Sequence, residues 1–309
     1  MIHHGLGLAA GFERYRRELH VHCYRMLGSF EEAEDVVQET FLRAWARRDA
    51  FEPGSNLRAW LYQIATNAGV DAIRRSKRRV PSMHSFAEVP WIQPYPDRLL
   101  DELDPDSMVV SRETIALTFI AVIQLLPPRQ RAVLILRDVL EWSAAETAQI
   151  LEMTVASTNS ALQRARATLH KARAAGKTEV RPVSLTERER ELLKAFIHTH
   201  ESGDADKALA LVRDDVRVTM PPNPWCFEGR EAVARLLRQA FGPDRPGDWR
   251  LVPTSANRQP AAASYLRARG DTVYRAFKID VLRVEEGLIA ELTTFGARLF
   301  PQFDLPPTL

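Results

Sequence analysis

The segment "VPSMHSFAEVPWIQPYPDRLLDELDPDS", residues 80–107, restricts the fold more than any other part of the chain. It holds five prolines and six acids. Proline lacks the backbone donor that ladders and helix interiors need, and closely spaced carboxylates repel one another. Such a segment cannot form a core of its own. The 309 residues must therefore divide around it into separately built blocks. Trp91, Ile92 and Tyr95 are too apolar for a solvated tether, and packing on a neighbouring domain accounts for them.

Both flanks read as helical. In 12–79, "FERYRRELHVHCYRML" stops at Gly28, and Ser29 with Glu32 forms a capping box for the next helix. Ala33, Val37, Thr40, Phe41 and Ala44 share one face of that helix, while Asp35, Gln38 and Leu42 share another. "DAFEPGSN" breaks the pattern, and a helix resumes with Leu57, Leu61, Ile64, Ala68 and Ala72 inward. Residues 109–126 and "RQRAVLILRDVL" predict two more helices, separated by Pro127-Pro128. Ser143 and Glu146 box a short helix, and Thr154 caps the one after it.

In "EWSAAETAQILEMTVASTNSALQRARATLHKAR", 141–173, Leu162, Ala165 and Leu169 point inward at helical spacing. Asn159, Gln163 and Arg166 recur on a different face, beside the small residues Ala156 and Ser160. Small residues permit close approach to a major groove, amides and guanidinium groups read base edges, and Arg164, Lys171 and Arg173 suit phosphates. A solvated basic helix in a bundle carries the same pattern. Charge is uneven in the same sense. Residues 1–80 hold 13 basic against 10 acidic groups and 111–181 hold 10 against 6, while 182–309 are balanced at 18 each. A nucleic-acid partner therefore suits the two basic blocks only.

The residues carry a family resemblance. "LLPPRQRAVLILRDVLEWSAAETAQILEMTVASTNSALQRARATL" resembles region four of extracytoplasmic-function sigma factors, and "EEAEDVVQETFLRAW" and "LRAWLYQIATNAGVDAIRR" resemble their region two. Asp35, Gln38 and Phe41 match the D-x-x-Q-x-x-F signature, and Trp60 through Arg75 match W-L-x-x-I-A-x-N-x-x-x-D-x-x-R-R. The resemblance implies binding to core RNA polymerase and to promoter DNA. Asp35, Gln38, Glu39 and Leu42 would dock on the beta-prime clamp helices, and region four would reach the beta flap. Phe51 and Asn67 would hold the melted −10 element, Arg74, Arg75 and Arg78 would track upstream phosphate, and Asn159, Ser160, Gln163, Arg164 and Arg166 would read the −35 element. Phe51 as plain core and the acidic face as plain solvated helix stay open. The family often has a basic residue where Asn159 and Ala161 stand, so fewer phosphate contacts follow.

Residues 184–309 change character: helices at "TERERELLKAFIHTHES" and "GREAVARLLRQAF", then strand-like runs with turns at Gly270-Asp271 and Glu285-Glu286-Gly287. This predicts an α+β domain with an antiparallel sheet. "MPPNPWCFEGREAV" resembles the SnoaL-like fold, and together with the linker the tail resembles a subgroup of large sigma factors with a SnoaL-like extension. That subgroup implies regulation in cis, with Trp91, Ile92 and Tyr95 as the anchor. Trp225, Phe227, Tyr265, Tyr274 and Phe277 would line a pocket for an apolar small-molecule ligand or fill a core. His198, His200, Asp204, Asp214 and Asp280 are the acid–base candidates, and none pairs by spacing.

The expected organisation is thus multidomain: two all-α sigma domains, a region 2 helical bundle at 12–80 and a region 4 helix-turn-helix at 111–176, the linker at 81–110, and the SnoaL-like domain at 184–309. Cys23 and Cys226 stand alone, with no metal-ligand spacing, which predicts no metal, no cofactor and a reducing cytoplasm. No signal peptide or membrane span is read, and no enzyme activity is expected. A one-component helix-turn-helix regulator with a ligand-sensing tail, or a SnoaL-like enzyme with a DNA-binding appendage, would explain parts of the pattern. Neither needs a polymerase-docking helix followed by a strand-holding one.

Overall fold

A computed structural model describes residues 2–52, 54–76, 89, 91–103, 112–174, 185–243 and 245–309. The chain forms two compact units, Met1–Met83 with Asp101–Val180, and His84–Leu100 with Arg181–Leu309.

In the first unit α1 (Ile2–Leu27), α2 (Phe30–Ala46) and α3 (Leu57–Arg75) pack on one another. Helix α1 starts before the periodic segment that predicts it, and takes in His3 and His4. Gly28 ends it at φ 73°, a left-handed conformation that glycine adopts without a Cβ penalty. Ser29 then accepts from the Glu32 amide at 3.3 Å and starts α2. After α4 (Asp97–Asp101), in the linker, come α5 (Arg112–Ile115) and α6 (Leu117–Ile123), which are separated at Ala116 where one continuous helix is expected. Next come α7 (Pro128–Leu134), which relaxes into a π turn at Ile135–Val139, then α8 (Ala144–Ile150) and α9 (Val155–Ala174). The Ser143–Glu146 capping box starts α8.

Two buried arginines tie these helices together. Arg25 of α1 donates to the Thr114 carbonyl at 3.1 Å and its hydroxyl at 2.8 Å. Arg131 of α7 donates to the Met26 carbonyl, to Gln124 Oε1 at 2.6 Å and to the Leu126 carbonyl at 3.0 Å. A buried guanidinium is tolerated where acceptors surround it. Trp142 packs over Tyr62 at 5.2 Å between ring centroids, and Tyr62 donates to Glu18 at 2.7 Å.

In the second unit the strands run β1 (Val212–Thr219), β2 (Cys226–Glu228), β3 (Gly247–Ala256), β4 (Gln259–Ala268), β5 (Arg275–Glu285) and β6 (Leu288–Gly296), in the sheet order β2-β1-β6-β5-β4-β3. The expectation of an antiparallel sheet is corrected: β1 pairs with β6 in parallel, so the sheet is mixed. The chain leaves β1 through β2 and α12 (Arg230–Phe241), and only the β3–β6 meander returns to β1's edge. Helix α10 (Glu187–Ser202) covers β3 and β4, α12 covers β1 and β2, and α11 (Ala205–Ala210) joins them. Leu192, Phe196, Val216, Val218, Leu251 and Leu282 lie at the centre of the core. Among the described residues no helix is long and apolar enough to cross a membrane, and no cluster of His, Cys, Asp and Glu suits a metal ion.

Candidate nucleic-acid interface

On α2 the inward stripe Ala33, Val37, Thr40 and Ala44 is buried, which turns Asp35, Gln38 and Leu42 outward. Leu42 is 66% exposed and Trp45 41%, two large apolar groups beside acids and amides. Glu39 departs from the expected free face. It is half-buried and accepts from Arg43 at 2.5 Å and from Arg75 at 3.2 Å. Burial pushes its carboxyl up, but the two guanidinium groups outweigh burial and hold it below the ordinary range. Arg75, expected to be free for phosphate, is thereby engaged, whereas Arg74 stays exposed beside Asp71 at 4.0 Å. Arg78 lies outside the described residues.

Helix α3 opens a cavity of about 190 Å³, lined by Arg43, Arg47, Trp60, Gln63, Ile64, Asn67 and Glu152. It is several times the roughly 30 Å³ one water occupies in the liquid. Trp60, Gln63 and Asn67 recur at three and four residues, so one helix face supplies a ring and two amides. Phe51 is half-buried and packs on Trp60 at 4.9 Å, bracing that wall instead of presenting a free ring. The wall is held from behind: His22 of α1 contacts Thr66 at 2.9 Å and packs on Tyr62. Burial, and then the charges of Arg25 and Arg58, lower the His22 pKa to about 3, so it is neutral. An aromatic ring beside amides and guanidinium groups is the chemistry that holds an unstacked base and its phosphate. Trp60, Gln63, Arg43 and Arg47 are absent from the sequence-based site. The α3 spacing could have found Trp60 and Gln63, but nothing local links them to α2.

On α9 the inward residues Ala161, Leu162, Ala165 and Leu169 are buried, and Asn159, Ser160, Gln163 and Arg164 are exposed together. Ala161 therefore belongs to the core, and a basic residue there would not face DNA. Arg166 differs from the reader expected: it forms a two-pronged pair with Asp138, at 2.7 and 2.9 Å. Thr154 caps α9 through the Ser157 amide at 3.1 Å.

Residues 91–100 form a strap within the second unit. Ile92 and Tyr95 are buried and Trp91 is half-buried. The β3–β4 turn grips the strap: Tyr95 N–H donates to Asn257 Oδ1 at 2.7 Å, and Asn257 N–H returns a bond to the Tyr95 carbonyl at 2.9 Å. Arg258 N–H donates to Asp97 at 2.8 Å, and Pro96 bridges Ala256. Asn257 and Arg258 hold φ of 55° and 59°, the left-handed pair of a tight hairpin. The sequence reading has no such turn, because neither residue is glycine.

The tail aromatics do not gather as a pocket. Tyr265 is buried against Phe300 and donates to the Pro306 carbonyl, Tyr274 lies under Arg267, Phe227 packs against the core, and Trp225 and Phe277 are exposed. Of the acid–base candidates, His198 is exposed, Asp204 caps α11 and Asp214 pairs with Arg230 on the surface. Asp280 is buried with Lys278 at 2.9 Å and Thr294 at 2.7 Å. His200 bonds the Phe196 carbonyl, and burial together with Lys278 lowers its pKa to about 4.

These surfaces coincide with known families. Residues 12–79 match the sigma-70 region 2 model, 117–169 a sigma-70 region 4 model and 193–292 the SnoaL-like domain. The chain is 40% identical to the ECF RNA polymerase sigma factor SigG of Mycobacterium tuberculosis, over 97% of this chain and 84% of that protein. It is 36% identical to SigW of Bacillus subtilis over 51% of this chain and 83% of that one. The crystal structure of M. tuberculosis SigJ has the same fold, with a TM-score of 0.64 at 20% identity, covering 97% of this chain and 99% of that one. The chain belongs to the extracytoplasmic-function RNA polymerase sigma factors, in the form that carries a SnoaL-like C-terminal domain.

Proposed function

We propose that this chain binds core RNA polymerase and directs it to promoters, reading the −10 element as single strand in the α3 cavity and the −35 element as duplex along α9. The observation that carries this is the presence of two unlike reading surfaces on one unit. One is an open helix face of amides and arginine, suited to base edges in a major groove. The other is a partly open ring-and-amide cavity, suited to an extruded base. The exposed Asp35, Gln38 and Leu42 face is the docking site for the beta-prime clamp helices, and region four meets the beta flap. Trp91, Ile92 and Tyr95 are the regulatory anchor: they fix the linker between the two DNA readers to the tail domain. The tail acts in cis as a regulatory body and not as a catalyst, because Asp280 and His200 are each satisfied by protein groups.

The test is run-off transcription with bacterial core polymerase on a random-sequence template pool. The full chain is expected to give discrete start sites. Binding to duplex DNA in the absence of polymerase, with no transcripts in its presence, would assign it to the one-component regulators. Ile92→Ser with Tyr95→Ser should change transcript yield while region 2 and region 4 substitutions alone alter promoter choice.

A further inference from the structure

The tail domain has a half-open cavity of about 340 Å³ at the start of β3 and the end of β4. Its charged lining is Arg245, Asp248, Arg267, Arg269 and Asp271, and no lining residue belongs to the hydrophobic core. Three segments supply the arginines: Arg245 precedes β3, Arg267 lies on β4, and Arg269 opens the turn to β5. Asp248 and Arg267 are cross-strand partners, so their side chains meet on one face. Gly247 sets the approach of the two strands. A Cβ there would fall 2.0 Å from the Arg267 carbonyl, so only glycine fits. Asp248 bridges two guanidinium groups, accepting from Arg245 at 2.9 Å and from Arg267 at 2.8 Å. Arg267 also lies 4.8 Å over the Tyr274 ring. Arg269 donates to the Pro243 carbonyl. Asp271 is turned to its own loop, where it accepts from the Thr272 amide at 2.8 Å and from Arg275 at 3.2 Å.

We propose that this cavity binds a small phosphate monoester, with Arg245, Arg267 and Arg269 as the clamp on its phosphate. Both lining carboxylates are engaged, whereas each lining guanidinium spends one N–H on a partner among the described residues. Three arginines against two aspartates leave the lining net positive. Two guanidinium groups on one carboxylate, with a third beside them, repel one another, and an anion between them relieves that repulsion. A phosphate does so best, because its oxygens match the guanidinium fork two at a time. Asp248 and Tyr274 already orient Arg267, so less side-chain freedom is lost on binding. The volume is about ten times the roughly 30 Å³ of one water, which leaves room beyond the phosphate for the group it esterifies. It also lies at the lower end of small-molecule sites, roughly 300–1,000 Å³. The site belongs to the tail alone and stands whether or not the promoter reading holds.

The experiment titrates the full chain with inorganic phosphate and with glycerol phosphate, and follows phosphorus NMR line broadening. Both compounds are expected to bind, glycerol phosphate the more tightly. Arg269→Gln and, separately, Arg267→Gln should weaken both by about tenfold, the scale of one lost charge-assisted hydrogen bond. Arg269 is exposed, so its replacement keeps the fold, which circular dichroism checks. Arg235→Gln removes the same charge from the exposed side of α12, outside the cavity, and should leave binding unchanged. Equal weakening by Arg235→Gln would reduce the effect to net charge and overturn the site. So would the absence of broadening with both compounds. The phosphodiester backbone of DNA offers the same chemistry from another source. A short duplex that binds through Arg267 and Arg269 while glycerol phosphate does not would overturn the small-molecule assignment.

Discussion

The two DNA-facing surfaces are built in opposite ways. The α9 face comes from one helix, with its reading residues exposed and its inward stripe buried. The cavity draws on α2, α3 and the turn between α8 and α9. A single-helix reader works as soon as its helix is packed. A composite cavity works only when every wall stands, so it is the one that tertiary events can regulate.

The largest effect should come from the frame the two surfaces share. Arg131→Met strips the donor from several buried acceptors, each costing about 1–3 kcal/mol. Urea unfolding followed by helical circular dichroism should register a loss of about 4 kcal/mol, and both surfaces should weaken together. Acid should then separate them. The folded His22 pKa of about 3 lies below the unfolded value of 6.5. The unfolded chain therefore takes the proton first, and stability falls as pH drops from about 6.5 toward 3. Between pH 7 and pH 4 this group alone costs about 3 kcal/mol. His22→Leu should reduce the slope of that part of the pH profile, the buried His200 still contributing there, and an unchanged slope would remove His22 as a cause.

A smaller loss, about 2 kcal/mol of polymerase affinity, is expected from Leu42→Arg in a pull-down titration, the scale of a buried apolar anchor. It should spare duplex binding by α9. Gln163→Ala should cost about 1–2 kcal/mol of sequence discrimination at one or two −35 positions. Asn67→Ala should act only on −10 positions, and only with polymerase present. The least effect is expected from Arg166→Ala. Its guanidinium is already engaged by Asp138, so the loss should stay under about 1 kcal/mol and below that of Arg164→Ala. The reverse order would place Arg166 on the DNA.

Much of this was legible in the sequence. Inward stripes, caps and the exposed α9 set follow from helical spacing, because i, i+3 and i+4 residues share a face whatever the helix later packs against. The second half of the cavity was not. Arg43, Arg47 and Glu152 have no periodic relation to Asn67, and the pairing of Glu39 with Arg75 or Arg166 with Asp138 depends on how helices cross. The parallel β1–β6 pair was missed for a related reason: strand patterns give faces, not neighbours.

By itself the sequence determined three helical or mixed blocks, their order, and the residues that line each helix face, since those depend on local spacing and capping. Only the tertiary structure decided that the proline-rich linker is gripped by the Asn257 turn, that Phe51 braces Trp60, and that Glu152 lines the same cavity as Arg43 and Asn67. The linker contact joins residues 162 apart, and the Phe51 contact crosses the loop between α2 and α3 instead of a helix turn. Their free energy comes from burial and donor–acceptor geometry that exist only once the helices and strands have been brought together.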